Sequence, residues 1–152
     1  MAQTTAQMSM SNCKIEAKIA AGSWVDIGGE STKIEVEGGE RQSGEAWTAV
    51  GDAPVLTKGK REKYTITGSV VYTEGVSTPW KLLHDAHRSG DLVQVRWAPK
   101  GGASGDYQFS TATAGNVFKN CNLPSGEFGS GDPVLCEFVL ETPDITDAAV
   151  TP

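Results

Sequence analysis

The chain has 152 residues and a mass of 16.0 kDa, enough for one domain with a proper core. Its formal net charge of −6 and isoelectric point near 4.9 exclude the basic surface that a nucleic-acid grip requires. No apolar run approaches the ~20 residues of a membrane helix, and three cysteines cannot close a disulfide set.

The first twelve residues are polar, small and unpatterned, and read as an N-terminal arm. They lack the basic and apolar regions of a signal peptide, so use without secretion is expected. Residues 13–20 then alternate, with Cys13, Ile15, Ala17 and Ile19 on one face and Lys14, Glu16 and Lys18 on the other. Residues 24–27 precede Gly28-Gly29, and residues 32–37 alternate again before Gly38-Gly39, giving strands split by glycine turns.

Residues 38–62 form the longest stretch without firm periodicity, which in a compact domain marks a functional or mobile connection. Its first limb carries Glu40, Arg41 and Glu45; its second carries Lys58, Lys60 and Arg61; Trp47, Val55 and Leu56 lie between. Opposite charges flanking apolar anchors suit a docking arm for a neighbouring subunit. They equally suit a hairpin whose limbs pair with each other.

Residues 64–73 alternate with the period of a half-buried strand. Thr78 and Pro79 open a helix that runs to Ser89, and Gly90 closes it. Residues 92–97 return to strand, and a glycine-rich turn leads into residues 106–110. Residues 116–123 make a weaker strand, 124–133 a loop, and 134–142 the most apolar strand, with Val134, Cys136, Phe138 and Leu140 in phase. Pro143 ends it, leaving residues 144–152 as an acidic C-terminal arm after a single domain at 13–143. One short helix among alternating strands predicts a mainly β fold, a sandwich or barrel with the helix on its flank. The excess charge is local: residues 1–119 balance thirteen acids against thirteen bases, and only acids follow Lys119.

Catalytic chemistry has no motif here, and no enzyme activity or cofactor is expected. His84 and His87 stand three apart on the helix, but no third metal ligand lies in a nearby motif, and the edge of a face led by Trp80, Leu83 and Ala86 explains them better. No serine occupies a nucleophile elbow. Gly101, Gly102 and Gly105 lack the Gly-Lys-Ser/Thr ending of a phosphate loop, so a β-turn is expected. The cysteines read as buried free thiols. Trp80 and Trp97 fall on core phases, which leaves Trp24 and Trp47 as exposed candidates.

This order of elements resembles the major tail (tail tube) proteins of long-tailed bacteriophages. It is carried by the N-terminal strand pair, the 38–62 loop, the 64–73 strand with Ser69-Val-Val-Tyr72, and the 78–89 helix. Arg96-Trp-Ala-Pro99 and the last apolar strand near Thr142-Pro143 complete it. The resemblance implies a β-sandwich with a flanking helix, assembled into hexameric rings that stack as a hollow tube. It implies that six inner sheets join into one barrel around a DNA-conducting channel, and that the long loop and terminal arms make contacts between subunits. The implied partners are further copies of the chain, a tape measure protein, a tail terminator and tail tip proteins. DNA would pass without specific binding, and the location would be the virion tail, assembled in the host cytoplasm. Tubes of contractile tails and injection systems share the fold and stand as an alternative, as does a monomeric β-sandwich binding module.

A DNA channel calls for acidic and small hydroxyl side chains, because attraction would stall the genome. On polar strand phases these are Glu16, Glu35, Glu37, Thr65, Thr67, Ser69, Glu137 and Glu141, each lining the channel or facing bulk solvent. On this reading, removal of residues 1–12 or 144–152 should weaken assembly and leave the fold intact.

Overall fold

The computed structural model describes residues 2–152. Among them are β1 (Lys14–Ile19), β2 (Val25–Asp26), β3 (Ser31–Gly38), β4 (Arg41–Ala46), β5 (Val55–Arg61) and β6 (Tyr64–Val71). The single helix α1 (Pro79–Ser89) follows. Then come β7 (Val93–Ala98), β8 (Tyr107–Thr111), β9 (Val117–Cys121), β10 (Leu135–Thr142) and β11 (Ile145–Ala149). The fold is mainly β. One sheet has the order β11-β8-β7-β1-β2, a second β3-β6-β10-β9, and β4 and β5 pair only with each other.

Alternation along the strands decides which face each sheet buries. Ile15 and Ala17 of β1 and Val93, Val95 and Trp97 of β7 turn inward from the five-stranded sheet. Ile66 and Val70 of β6 and Cys136, Phe138 and Leu140 of β10 meet them from the four-stranded sheet. Gly68 shares the inner face of β6, and the Phe138 ring from the paired position on β10 lies over it. A Cβ at Gly68 would come within 2.2 Å of that ring, so the sequence needs glycine there for packing.

Helix α1 seals the sandwich with Trp80, Leu83 and Ala86, spaced three apart and buried. Gly90 ends it in the left-handed region (φ 78°), its N–H bonding to Ala86 O at 3.0 Å. Thr78 holds the N-cap position, but its hydroxyl donates backward to the carbonyls of Thr73 and Gly75 instead of capping the helix. A polar staple joins the two sheets. The Asn116 amide donates to the carbonyls of Ala112 (2.6 Å) and Val93 (3.1 Å), and its oxygen accepts from the Thr142 hydroxyl at 2.7 Å.

Three expectations need correction. Residues 145–149 are not a free acidic arm; they form β11, in register with β8 from Ile145↔Thr111 to Ala149↔Tyr107. Pro143 breaks β10, and the chain crosses to the other sheet, where Ile145 packs against the core. Trp24 is half-buried because the Arg96 guanidinium stacks 4.2 Å from its ring centroid. Cys13 is only half-buried, whereas Cys121 and Cys136 are buried; all three are free thiols. Residues 2–12 contain neither strand nor helix and are exposed.

Candidate assembly surfaces

The outer face of the four-stranded sheet collects seven of the eight proposed channel residues. The register sets Glu37 beside Thr65 and Thr65 beside Glu141. Glu35 lies beside Thr67, and Ser69 lies beside Glu137. Lys33 stands across Ser69 from Glu137 and reaches over it to bond the carboxylate at 2.9 Å, which leaves Ser69 buried on an otherwise open face. That bond, with the charge of Glu137, raises the Lys33 pKa above its ordinary value. Glu141 accepts from Lys63 at 2.8 Å and lies 3.6 Å from Lys119. The Lys63 hydrogen bond holds its carboxyl below the usual range; partial burial opposes this and Lys119 assists. Glu35 and Glu37 form no ion pair among the described residues, although the charge of Glu35 acts on nearby Lys33. The face is thus acidic along β3 and near neutral across β10.

The eighth residue, Glu16, does not belong with the others. It lies in the five-stranded sheet, and its side chain is 10% exposed. Arg96, directly opposite on β7, bonds it at 3.0 Å, and Lys14 approaches to 3.5 Å. A period of two separates inner from outer positions but does not distinguish the outer faces of two sheets. Lysines also stand on the acidic face. Lys33 shares the strand phase of Glu35 and Glu37 and was legible. Lys119 is brought onto the face by the register shift where β9 meets β10.

The long connection is a hairpin of β4 and β5, paired from Arg41↔Arg61 to Ala46↔Val55. Glu40, Arg41, Glu45, Trp47, Val55, Leu56, Lys58, Lys60 and Arg61 are all exposed on it. Its limbs share backbone bonds, yet no ion pair joins them among the described residues; Arg61 instead reaches Asp144 at 3.3 Å. At its base, Gly39 adopts φ 74° and the Tyr64 ring packs over it. Trp47 and Leu56 remain 65% and 70% exposed.

Both sheets end in unpaired edges: β3 and β9 on the acidic sheet, β11 and β2 on the other. His84 stacks on Trp80 with ring centroids 4.8 Å apart, and His87 lies 3.3 Å from Lys119 O. No group of three His, Cys, Asp or Glu is arranged for a metal among the described residues. Nor does any helix among them have the length and apolarity to cross a membrane.

By sequence, the chain matches no family model and no curated protein. Its fold is nonetheless found among solved structures. A chain of the sheath-tube complex of an extracellular contractile injection system, PVC, in its extended state, superposes with TM-score 0.65 at 16% identity. That match covers 90% of this chain and 89% of the other. A chain of the anti-feeding prophage baseplate gives TM-score 0.67 at 9% identity, over 99% of this chain and 100% of that one. A chain of the tail of a gene transfer agent particle, refined helically with C6 symmetry, gives 0.66 at 9% identity over 97% and 100%. The chain has a tail-tube-like fold.

Proposed function

We propose that this chain is a non-enzymatic structural subunit that assembles with copies of itself into a tail tube. In the fuller form of the reading, six copies close a ring, rings stack, and DNA passes down the bore of a long-tailed phage virion. A tape measure, a terminator and tip proteins are the other partners.

One observation carries the reading. A single sheet combines two open edges, β3 and β9, with an outer face of Glu35, Glu37, Thr65, Thr67, Ser69, Glu137 and Glu141. Joining edge to edge removes the exposed strands that otherwise invite uncontrolled pairing. It also brings the acidic faces onto one inner wall, where lysine pairing tempers the repulsion of a polyanion. The likeness to chains of tube-bearing particles supports the same role.

Likeness to the PVC sheath-tube complex favours a second reading, in which the tube belongs to a contractile injection system. Negative-stain electron microscopy with sedimentation of the purified chain tests the tube itself. Rings or tubes of uniform bore are expected; a monomer at every concentration would overturn the assignment. Binding of a sheath protein to those tubes would select the second reading.

A further inference from the structure

The hairpin and the 122–134 loop leave the acidic sheet at opposite ends. β6 and β10 pair over eight positions, from Tyr64↔Thr142 to Val71↔Leu135. The hairpin departs at the first end, where Gly39 N–H bonds to Lys63 O. The loop departs at the other, between Cys121 and Leu135, anchored by the Trp80 indole N–H to Asn122 O at 3.0 Å. Eight residues of strand put about 25 Å between the two points of departure, and among the described residues no ion pair joins the hairpin to its own loop.

The two surfaces are complementary. Along β5, Leu56 and Lys58 share one face, with Trp47 beyond the Glu45↔Leu56 pair, and Lys60 follows past the register shift between Arg41 and Ser43, opposite Gln42. Lys58 and Lys60 have no carboxylate partner among the described residues, and β5 contains no acid. The loop presents Leu123 and Phe128, with Leu135 at its far end; Phe128 is the most exposed large apolar side chain described. Its charges are Glu127 and Asp132, with no base from Asn122 to the end of the chain. Neither is engaged in an ion pair among the described residues. A two-stranded hairpin without an apolar underside is marginal in water, so this one gains from a cover.

We infer that the hairpin of one copy seats on the 122–134 loop of a second copy, Trp47 and Leu56 against Leu123 and Phe128, and Lys58 and Lys60 against Glu127 and Asp132. Because the two patches differ and lie at opposite ends, the contact is heterologous. Such a contact closes into a ring or runs on as a filament, and the placement of the two patches at opposite ends of the sheet favours growth along an axis. The inference rests on the tube reading and names the surface that receives the hairpin.

Charge exchange in the full chain tests it, with polymer read by sedimentation and microscopy. K58E/K60E and E127K/D132K should each raise the concentration needed for assembly by at least roughly tenfold, and all four changes together should restore it. The four sites are exposed, and circular dichroism checks that each variant folds. In a second test, Leu56→Cys with Phe128→Cys should give a ladder of disulfide-linked oligomers under mild oxidant, absent when either change is made alone. Wild-type tubes with no rescue and no ladder overturn the docking while leaving the tube reading in place. A wild-type chain that never exceeds a monomer overturns both.

Discussion

Gly68 and Phe138 show how little slack the core has. A methyl group at Gly68 would collide with a ring fixed by the paired strand, and neither β6 nor β10 can shift without moving eight registered pairs. Gly68→Ala should therefore destabilise the domain by about 1–3 kcal/mol, measured as a lower urea midpoint at unchanged slope. Glu141 gives a pH signature. Its folded carboxyl titrates below the ordinary range, chiefly through the Lys63 hydrogen bond. Its stabilising effect is therefore present above the unfolded carboxyl pKa and disappears as pH falls through the folded value. Urea midpoints of wild type and Glu141→Gln should differ at pH 6 and converge in acid; a constant gap would show that the Lys63 bond does not control titration. Thiol reactivity tests burial. Desolvation raises all three thiol pKa values, that of Cys121 to about 11, and only Cys13 is partly open. One thiol should react with a disulfide reagent in the native protein and three after unfolding.

At the scale of elements, β11 and the hairpin should respond in opposite ways to deletion. Ending the chain at Pro143 removes Ile145 from the edge of the core and bares β8, so the melting temperature should fall and aggregation rise. Replacing residues 40–62 with a tight turn removes no core residue and retains the Gly39–Lys63 junction, so thermal stability should hold while assembly is lost. Scanning calorimetry and sedimentation separate the two cases. The sequence shows most strands because an unbroken period of two with bounding glycines is a local signal, as in β1 and β10. It hides β11 because Thr146, Asp147, Ala148 and Ala149 lie at a sheet edge, and only pairing with β8 makes them a strand. The acidic face was legible residue by residue, but its ion pairs were not. Lys33 and Glu137 are 104 positions apart and meet only through β6. The same holds for Glu16 and Arg96, 80 apart.

At the scale of the molecule, the charge pattern divides the chain between its surfaces. Bases end at Lys119, so the late elements, β10 above all, take their cations from earlier ones. Glu35 and Glu37, which form no ion pair among the described residues, should set the potential of the inner wall in a tube. Glu35→Lys with Glu37→Lys is expected to preserve tubes and slow DNA delivery by particles that carry them; normal delivery would place β3 elsewhere.

The hairpin also bears on time. On the docking inferred above, a segment that gains its cover only from another copy offers the first pair of copies little reward for meeting, since the meeting must order both the segment and its receiver. Every later arrival finds a receiver already held in place. Growth of this kind starts slowly and extends quickly, with a lag that shortens when preformed ends are added. A cell holding many free copies would then build a few long objects from chosen starting points, not many short ones at random.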